Sequence, residues 1–281
     1  MLDCDGAWRA LLEIGAAQEA EIDAFRLPLH GAAITVTRQD DGGWRLEPPA
    51  PPEIAALFAI YLPFCAVPPG RSVVVAHLGQ SLDGRIATLS GASRWVTGDA
   101  DIAHNHRMRA LADAVVIGSG TVRSDDPQLT VRSCAGRNPV RVILDTNRVL
   151  DSGYRVFRDA AATTLLVCAA DRTSPGERLG AAEIVGLPRD GDALTPAAIV
   201  AELTRRGLRR IFVEGGGVTV SRFLAAGCLD RLQITVSPLI IGSGRPSITL
   251  PAIDDLRQGI RPLVRRFDLG ADVMFECIFR E

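Results

Sequence analysis

The chain has 281 residues, 47% hydrophobic and 23% charged, enough to bury one large core or two small ones. A formal net charge of −2 leaves no basic excess for nucleic acid or a membrane surface, although a short anionic ligand needs only a few local arginines. The six cysteines form no C-x-x-C pair, and there is neither a basic–apolar leader nor a run long enough to span a bilayer, so a cytoplasmic protein with reduced thiols and no metal site is expected.

Helical spacing of Trp8, Leu11, Leu12, Gly15 and Ala16, continued by Ile22 and Phe25, predicts a helix over residues 1 to about 27. Ala32–Thr37 reads as a strand, and the Asp40–Gly43 turn leads into a second at Trp44–Glu47. A proline cluster at 48–52 breaks the pattern, Glu53–Phe64 reads as a short apolar helix, and Pro68–Pro69–Gly70 closes it. These breaks place a boundary between an appended segment of unknown role, 1–68, and a main domain, 69–281.

From Arg71 the pattern alternates. Apolar runs at Val73–Leu78, Ala114–Gly118, Val140–Asp145, Thr163–Cys168, Ile184–Leu187 and Arg210–Glu214 read as buried strands. Between them, Thr97 serves as a helix N-cap with Asp99 and Asp101 in the first turn, and Pro196–Arg206 forms a helix with proline at its start. A further helix covers Val218–Ala226; Leu232–Val236 is another strand, and Leu263–Leu269 with Val273–Phe279 forms a hairpin around Gly270. The alternation implies an α/β fold, a largely parallel sheet with antiparallel strands added at the end.

Polar residues concentrate in Ser81–Arg132, where two loops, Ser81–Arg85 and Thr121–Pro127, flank one helix and one strand, as a bound polar ligand would require. The second feature is Glu214–Gly–Gly–Gly–Val–Thr, a strand running through glycines into a helix, which offers amides and a positive dipole end to a phosphate. It matches neither G-x-G-x-x-G nor a Walker lysine motif. Glu214, charged at the end of a buried strand, tips that turn from a structural to a functional reading. Arg109 and Arg132 suit paired hydrogen bonds to phosphate, against the ordinary reading of solvated surface charge. His104 and His106, two apart on a helix, make a poor metal pair and read as solvated or lightly buried; His77 alternates with apolar neighbours and either faces the site or sits in the core.

Gly79–Gln–Ser–Leu–Asp–Gly–Arg85, Ser93–Arg–Trp95, Arg109, Gly120–Thr–Val–x–x–Asp–Asp–Pro127, Leu129–Thr–Val–Arg132, Asp145–Thr146, Glu214–Gly–Gly and Pro238–Arg245 run in the order of one family. Over residues 72–281 the chain resembles the C-terminal reductase domain of the bifunctional riboflavin-biosynthesis deaminase–reductase. The resemblance implies a dihydrofolate-reductase-like fold, a mixed, mostly parallel sheet flanked by helices with a small N-terminal appendage. It also implies NADPH-dependent reduction of the ribosyl group of 5-amino-6-(5-phosphoribosylamino)uracil to ribityl by hydride transfer to C1′. By the same resemblance Ser93, Arg109, Leu129, Arg132 and Glu214 contact the phosphorylated pyrimidine, with Arg109 and Arg132 clamping its phosphate. Gly79, Trp95, Thr121, Asp125, Thr146 and the run Gly216, Gly217, Val218, Thr219, Val220, Ser221 and Arg222 surround NADPH. Arg148 is the candidate cation for the cofactor 2′-phosphate, and Glu214 and His77 are the candidate catalytic residues.

Two features depart from the family. Residues 1–68 hold only His30, Cys4 and Cys65 as candidate zinc ligands, so no deaminase is expected, and histidine stands at 77 where relatives often carry lysine. The rival readings are a reductase of dihydropterins or other pyrimidine-like compounds on the same fold, and a non-catalytic nucleotide-binding or assembly protein. A homodimer is expected, with Leu232–Val236 and Leu263–Leu269 contributing to the contact.

Overall fold

A computed structural model describes residues 3–16, 24–29, 32–38, 44–47, 49–67, 70–191 and 193–280. The chain divides into two compact units at Val73–Val74.

The first unit contains α1 (Cys4–Ala16), three antiparallel strands β1 (Ala24–Leu29), β2 (Ala32–Arg38) and β3 (Trp44–Glu47) in the order β1-β2-β3, and α2 (Pro52–Cys65). α1 buries Ala7, Trp8, Leu11 and Ile14, one stripe at helical spacing. α2 carries apolar residues on every side and is correspondingly enclosed, with Ile54, Phe58, Tyr61, Leu62 and Phe64 all buried. The Trp8 and Tyr61 rings meet edge to face at 5.6 Å.

The helix predicted to run to about residue 27 ends at Ala16, and Phe25 lies in β1 opposite Val36. Pairing with the β-branched run Ile34–Thr37 prevails over the weak helical spacing of the apolar residues. Pro28 fits β1 because that strand is at the sheet edge, where a missing amide need not break a ladder. Ile22, His30 and the turn at 40–43 lie outside the described residues.

The second unit adds, in chain order, β4 (Val73–Ser81), β5 (Arg85–Thr88), α3 (Asp99–Leu111), β6 (Ala114–Gly118), α4 (Ser119–Asp125), β7 (Val140–Leu144), α5 (Arg155–Arg158) and β8 (Thr164–Ala169). It continues with β9 (Arg178–Leu179), β10 (Ala182–Leu187), β11 (Arg189–Asp190), β12 (Ala193–Leu194), α6 (Pro196–Arg205) and β13 (Arg210–Glu214). α7 (Gly217–Ala225), β14 (Arg231–Ser237), β15 (Gly244–Pro246), β16 (Leu263–Leu269) and β17 (Asp272–Ile278) complete it.

Ten strands form one sheet in the order β16-β17-β14-β4-β13-β6-β7-β8-β10-β9. β14 runs parallel to β4, and β13, β6, β7, β8 and β10 are parallel in succession, whereas β17, β16 and β9 attach antiparallel. This is the dihydrofolate-reductase-like α/β architecture that the resemblance implied. Helices cover the central strands, which are largely apolar, and Ala76, Val116, Val142, Leu165 and Val213 belong to one core.

The Ser81–Arg85 loop, expected to hold a ligand, is a structural clasp. Asp83 accepts hydrogen bonds from Ser81 Oγ at 2.6 Å, Ile241 N at 3.1 Å and Gly242 N at 2.6 Å, tying the β4–β5 turn to the loop after β14. The Ser81 hydroxyl, then the Ile241 amide, holds its carboxyl at about 2, below the usual 3.8. A depressed carboxyl stabilises the fold above its unfolded pKa and loses that contribution as pH falls through the folded value. Asp83→Asn is therefore expected to lower the melting temperature at neutral pH, and the gap to the parent should close between pH 3.8 and about 2; a gap independent of pH would remove the charge from the explanation.

Candidate functional site

A cavity of about 830 Å³ opens at the C-terminal ends of β4, β6, β7 and β13, where open α/β sheets hold their ligands. Of the residues expected to form a site, His77, Gly79, Ser93, Thr121, Asp125, Thr146, Glu214, Gly216, Gly217, Val218, Thr219 and Arg222 line it. Val220 is fully buried, and Ser221 turns away to accept a hydrogen bond from Thr249 N at 2.8 Å. Trp95 stands exposed with a left-handed backbone, φ 67°, and Leu129, φ 54°, is buried.

Gly215 and Gly216 turn the chain from β13 into α7 at φ 61° and 68°, a region that costs any residue with a Cβ. Gly216 is the N-cap of α7, and the helix therefore presents its positive end and a backbone free of side chains to the cavity. That cradle fits the pyrophosphate of a dinucleotide. Thr121, Asp125 and Thr146 lie on the β6–β7 side of the same cavity.

Glu214 ends β13 and is bound through both carboxylate oxygens by Arg109, whose Nε donates to Oε2 at 2.9 Å and whose Nη2 donates to Oε1. Arg109 Nη1 also donates to Thr130 O at 3.3 Å, and Arg132 Nη1 donates to Thr130 Oγ1 at 2.7 Å. The two arginines therefore share Thr130, but Arg109 spends its planar fork on Glu214. Burial, then the neighbouring Arg109 charge, pulls the Arg132 guanidinium below its usual pKa. His106, expected to be solvated or lightly buried, is buried, and its Nδ1 accepts from Arg132 N at 3.1 Å. Burial first, then the Arg109 and Arg132 charges, lowers it to about 4, so the ring is neutral at pH 7. Arg148 does not line the cavity; it bonds Glu177 Oε1 at 2.9 Å and Arg172 O at 3.1 Å.

The cavity floor holds residues that spacing alone did not single out. The N-cap of α3 is Gly98, and Thr97 turns inward to donate to Asp101 Oδ2 at 2.8 Å. Asp101 Oδ1 also accepts from Thr235 Oγ1 at 2.6 Å and lies 3.0 Å from His77 Nε2. Burial pushes the Asp101 carboxyl up, but the His77 and Thr235 contacts outweigh it and hold the group below the usual carboxylate range. His104, also buried, contacts Gln233 Oε1 through Nε2 at 2.8 Å; burial, then His77, lowers it to about 4. Asn105 lines the same floor, and its Oδ1 is buried with no hydrogen-bond partner among the described residues, a vacant acceptor for a ligand N–H or O–H. The available sequence signal was polar residues at buried positions of apolar strands, His77 in β4 beside Gln233 and Thr235 in β14.

Residues 72–263 match the RibD C-terminal domain. The chain belongs to that family. The 2,5-diamino-6-ribosylamino-4(3H)-pyrimidinone 5′-phosphate reductase of Methanothermobacter thermautotrophicus is 33% identical over 218 residues, covering 73% of this chain and 97% of the relative. The riboflavin biosynthesis protein RibD of Bacillus amyloliquefaciens is 34% identical over 175 residues, 62% of this chain and 47% of that protein. The chain thus spans about half the length of that RibD relative. The crystal structure of the Thermotoga maritima diaminohydroxyphosphoribosylaminopyrimidine deaminase/5-amino-6-(5-phosphoribosylamino)uracil reductase superposes with a TM-score of 0.62 at 28% identity, over 80% of this chain and 61% of that one.

Proposed function

We propose that this protein is an NADPH-dependent reductase of riboflavin biosynthesis, converting the ribosyl group of a phosphoribosylaminopyrimidine to ribityl. The observation that carries the reading is the single cavity bordered by the Gly215–Gly217 cradle, Glu214 and the His77–Asp101 pair. The archaeal relative, matched over 97% of its length, supports the substrate class. Two substrates fit: 5-amino-6-(5-phosphoribosylamino)uracil, and the 2,5-diamino-pyrimidinone named for that relative, which carries an amino group in place of one ring carbonyl.

The nicotinamide would supply a hydride to C1′ of the open ribosylimine form, and one proton completes the reduced C–N bond. In this reading the glycine cradle fixes the pyrophosphate, while Thr121, Asp125 and Thr146 border the rest of the dinucleotide. Ser93, Glu214 and the Arg109–Thr130–Arg132 group position the phosphorylated pyrimidine, and His77 borders the cavity floor with its ring oriented by Asp101. The domain boundary near residue 68 is part of the proposal, supported by a family match that starts at residue 72. Among the described residues no helix is long and apolar enough to cross a membrane, and a cytoplasmic location suits diffusible substrates.

NADPH oxidation measured with the uracil substrate, the diamino substrate and dihydrofolate tests the reading. Turnover of either phosphoribosyl compound is expected; turnover of dihydrofolate alone would establish a pterin reductase instead.

We also propose a homodimer. Of the two strands expected to contribute, β14 is enclosed between β17 and β4, whereas β16 is a sheet edge with Leu263 and Val264 exposed. Sedimentation should show twice the 30.0 kDa chain mass, and Leu263→Lys should shift it toward monomer; a monomer at micromolar concentration for the parent contradicts the proposal.

A further inference from the structure

Arg245 lies on β15, the short strand that pairs antiparallel with β5. It lines the cavity, yet its guanidinium makes no hydrogen bond or ion pair with any described residue. The two arginines around Thr130 differ: Arg109 is taken by Glu214 and Arg132 by Thr130. An arginine with five donors and no protein acceptor, on a cavity wall, is available to an anion in a way that those two are not.

Two glycine contacts place the segment that carries it. The guanidinium rests against the backbone of Gly91, where a Cβ would stand 3.2 Å from Nη2 and 3.6 Å from Cζ. Gly91 has φ 97°, a conformation that leaves that face bare. The next two residues reach the other wall. A Cβ on Gly217, the first residue of α7, would come within 2.8 Å of Pro246 O and 2.4 Å of Ser247 O. One segment, 245–247, therefore touches both the loop carrying Ser93 and the start of the helix whose positive end faces the cavity. The two carbonyl oxygens packed on Gly217 would by themselves repel an anion bound there. A cation one residue upstream offsets that repulsion.

We propose that Arg245 is an anion-binding residue of this cavity and that it closes on the pyrophosphate of the dinucleotide held at the Gly215–Gly217 turn. The proposal rests on the nicotinamide-dependent reading above and adds to it a charge supplied from outside the glycine turn and its helix. A pyrophosphate is common to NADPH, NADH and ADP-ribose and is missing from 2′-AMP, which separates it from the 2′-phosphate. It is equally distinct from the substrate phosphate, which is read through the substrate Michaelis constant at saturating cofactor.

The test compares the parent with Arg245→Gln and Arg245→Lys, each confirmed as folded by its melting temperature. Dissociation constants are measured for NADPH, NADH, ADP-ribose and 2′-AMP, together with the substrate KM. Arg245→Gln is expected to weaken NADPH, NADH and ADP-ribose alike, by about ten- to a hundredfold, and to leave 2′-AMP and the substrate KM unchanged. Arg245→Lys should recover part of the loss. A loss shared by NADPH and 2′-AMP but not NADH would move the contact to the 2′-phosphate and overturn the proposal. A loss confined to the substrate KM, or no loss at all, overturns it as well. A parent protein that binds none of the dinucleotides would refute the nicotinamide reading itself, an outcome visible before any variant is made.

Discussion

Glu214→Gln is expected to lower kcat/KM by about one to two powers of ten while leaving most of the fold intact. Glutamine keeps the shape of the side chain but removes the charge that both Nε and Nη2 of Arg109 bind. The side chains of this pair are only 12% and 13% exposed, so the arginine left behind is poorly hydrated as well as uncompensated. The Arg132 guanidinium, already held down by burial and Arg109, would face a stronger local positive field. Two causes of lost activity are then possible, and a second variant separates them. If the loss comes from the unpaired buried Arg109 charge, Arg109→Met combined with Glu214→Gln should restore the melting temperature. If Glu214 also contacts the pyrimidine, Glu214→Gln should raise the substrate KM even where its melting temperature matches the parent's. Full activity of the single Glu214→Gln variant would remove this carboxylate from the proposed site.

That pair also shows where sequence reasoning stops. Glu214 and Arg109 were each conspicuous, one as a charge ending an apolar strand, the other among the polar residues of Ser81–Arg132. Their union joins positions 105 residues apart, and nothing local encodes it. The central strands were legible because a strand covered on both faces must be an uninterrupted apolar run, so Ala114–Gly118 and Arg210–Glu214 were located residue for residue. Their order was not: β4 lies between β14 and β13, a consequence of long-range pairing. The glycine turn was legible as a turn because three consecutive glycines close an apolar strand and open a helical run, where the chain passes through positive φ. Asp83 in Ser81–Arg85 reads singly as a turn residue and collectively as part of a ligand loop, for a physical reason. A carboxylate accepting amides from a distant loop uses the same chemistry as one binding a ligand, and only the position of Ile241 and Gly242 decides between them. Asp101 was read as a helix-dipole residue, which it is, but its burial against His77 and Thr235 depends on two strands meeting beneath α3.

The largest effect on stability is expected far from the cavity, at Asp113. This residue precedes β6, whose other end, Gly118, borders the cavity; five residue steps separate them, roughly 17 Å at 3.3 Å per residue. Asp113 Oδ1 accepts from Arg210 Nη2 at 2.7 Å and from Arg137 Nη2 at 2.7 Å, and Oδ2 accepts the Arg210 amide at 2.9 Å and the Arg209 amide at 3.1 Å. Arg210 is itself buried, so the carboxylate both neutralises an enclosed cation and occupies backbone amides at the start of β13. Burial raises the Asp113 carboxyl, but the Arg210 hydrogen bond and charge prevail and hold it below 3.8. Its contribution is therefore present above that pH and lost below it. Removing one partner of a buried ion pair costs about 3–5 kcal/mol, because the other charge stays buried without it. Asp113→Ala should accordingly lower the unfolding free energy by about that amount in a urea titration, with kcat of the folded protein unchanged. Asp113→Asn, which can still accept the amides, should lose less. Replacing both charges, as in Asp113→Leu with Arg210→Met, should recover only part of the loss: the buried charge is gone, but the Arg209 and Arg210 amides lose their acceptor. A loss below about 1 kcal/mol in the alanine variant would show that water reaches Arg210 and that the pair behaves as a surface contact. A fall in kcat at unchanged stability would instead mean that the ends of β6 are coupled, and that Asp113 belongs to the site after all.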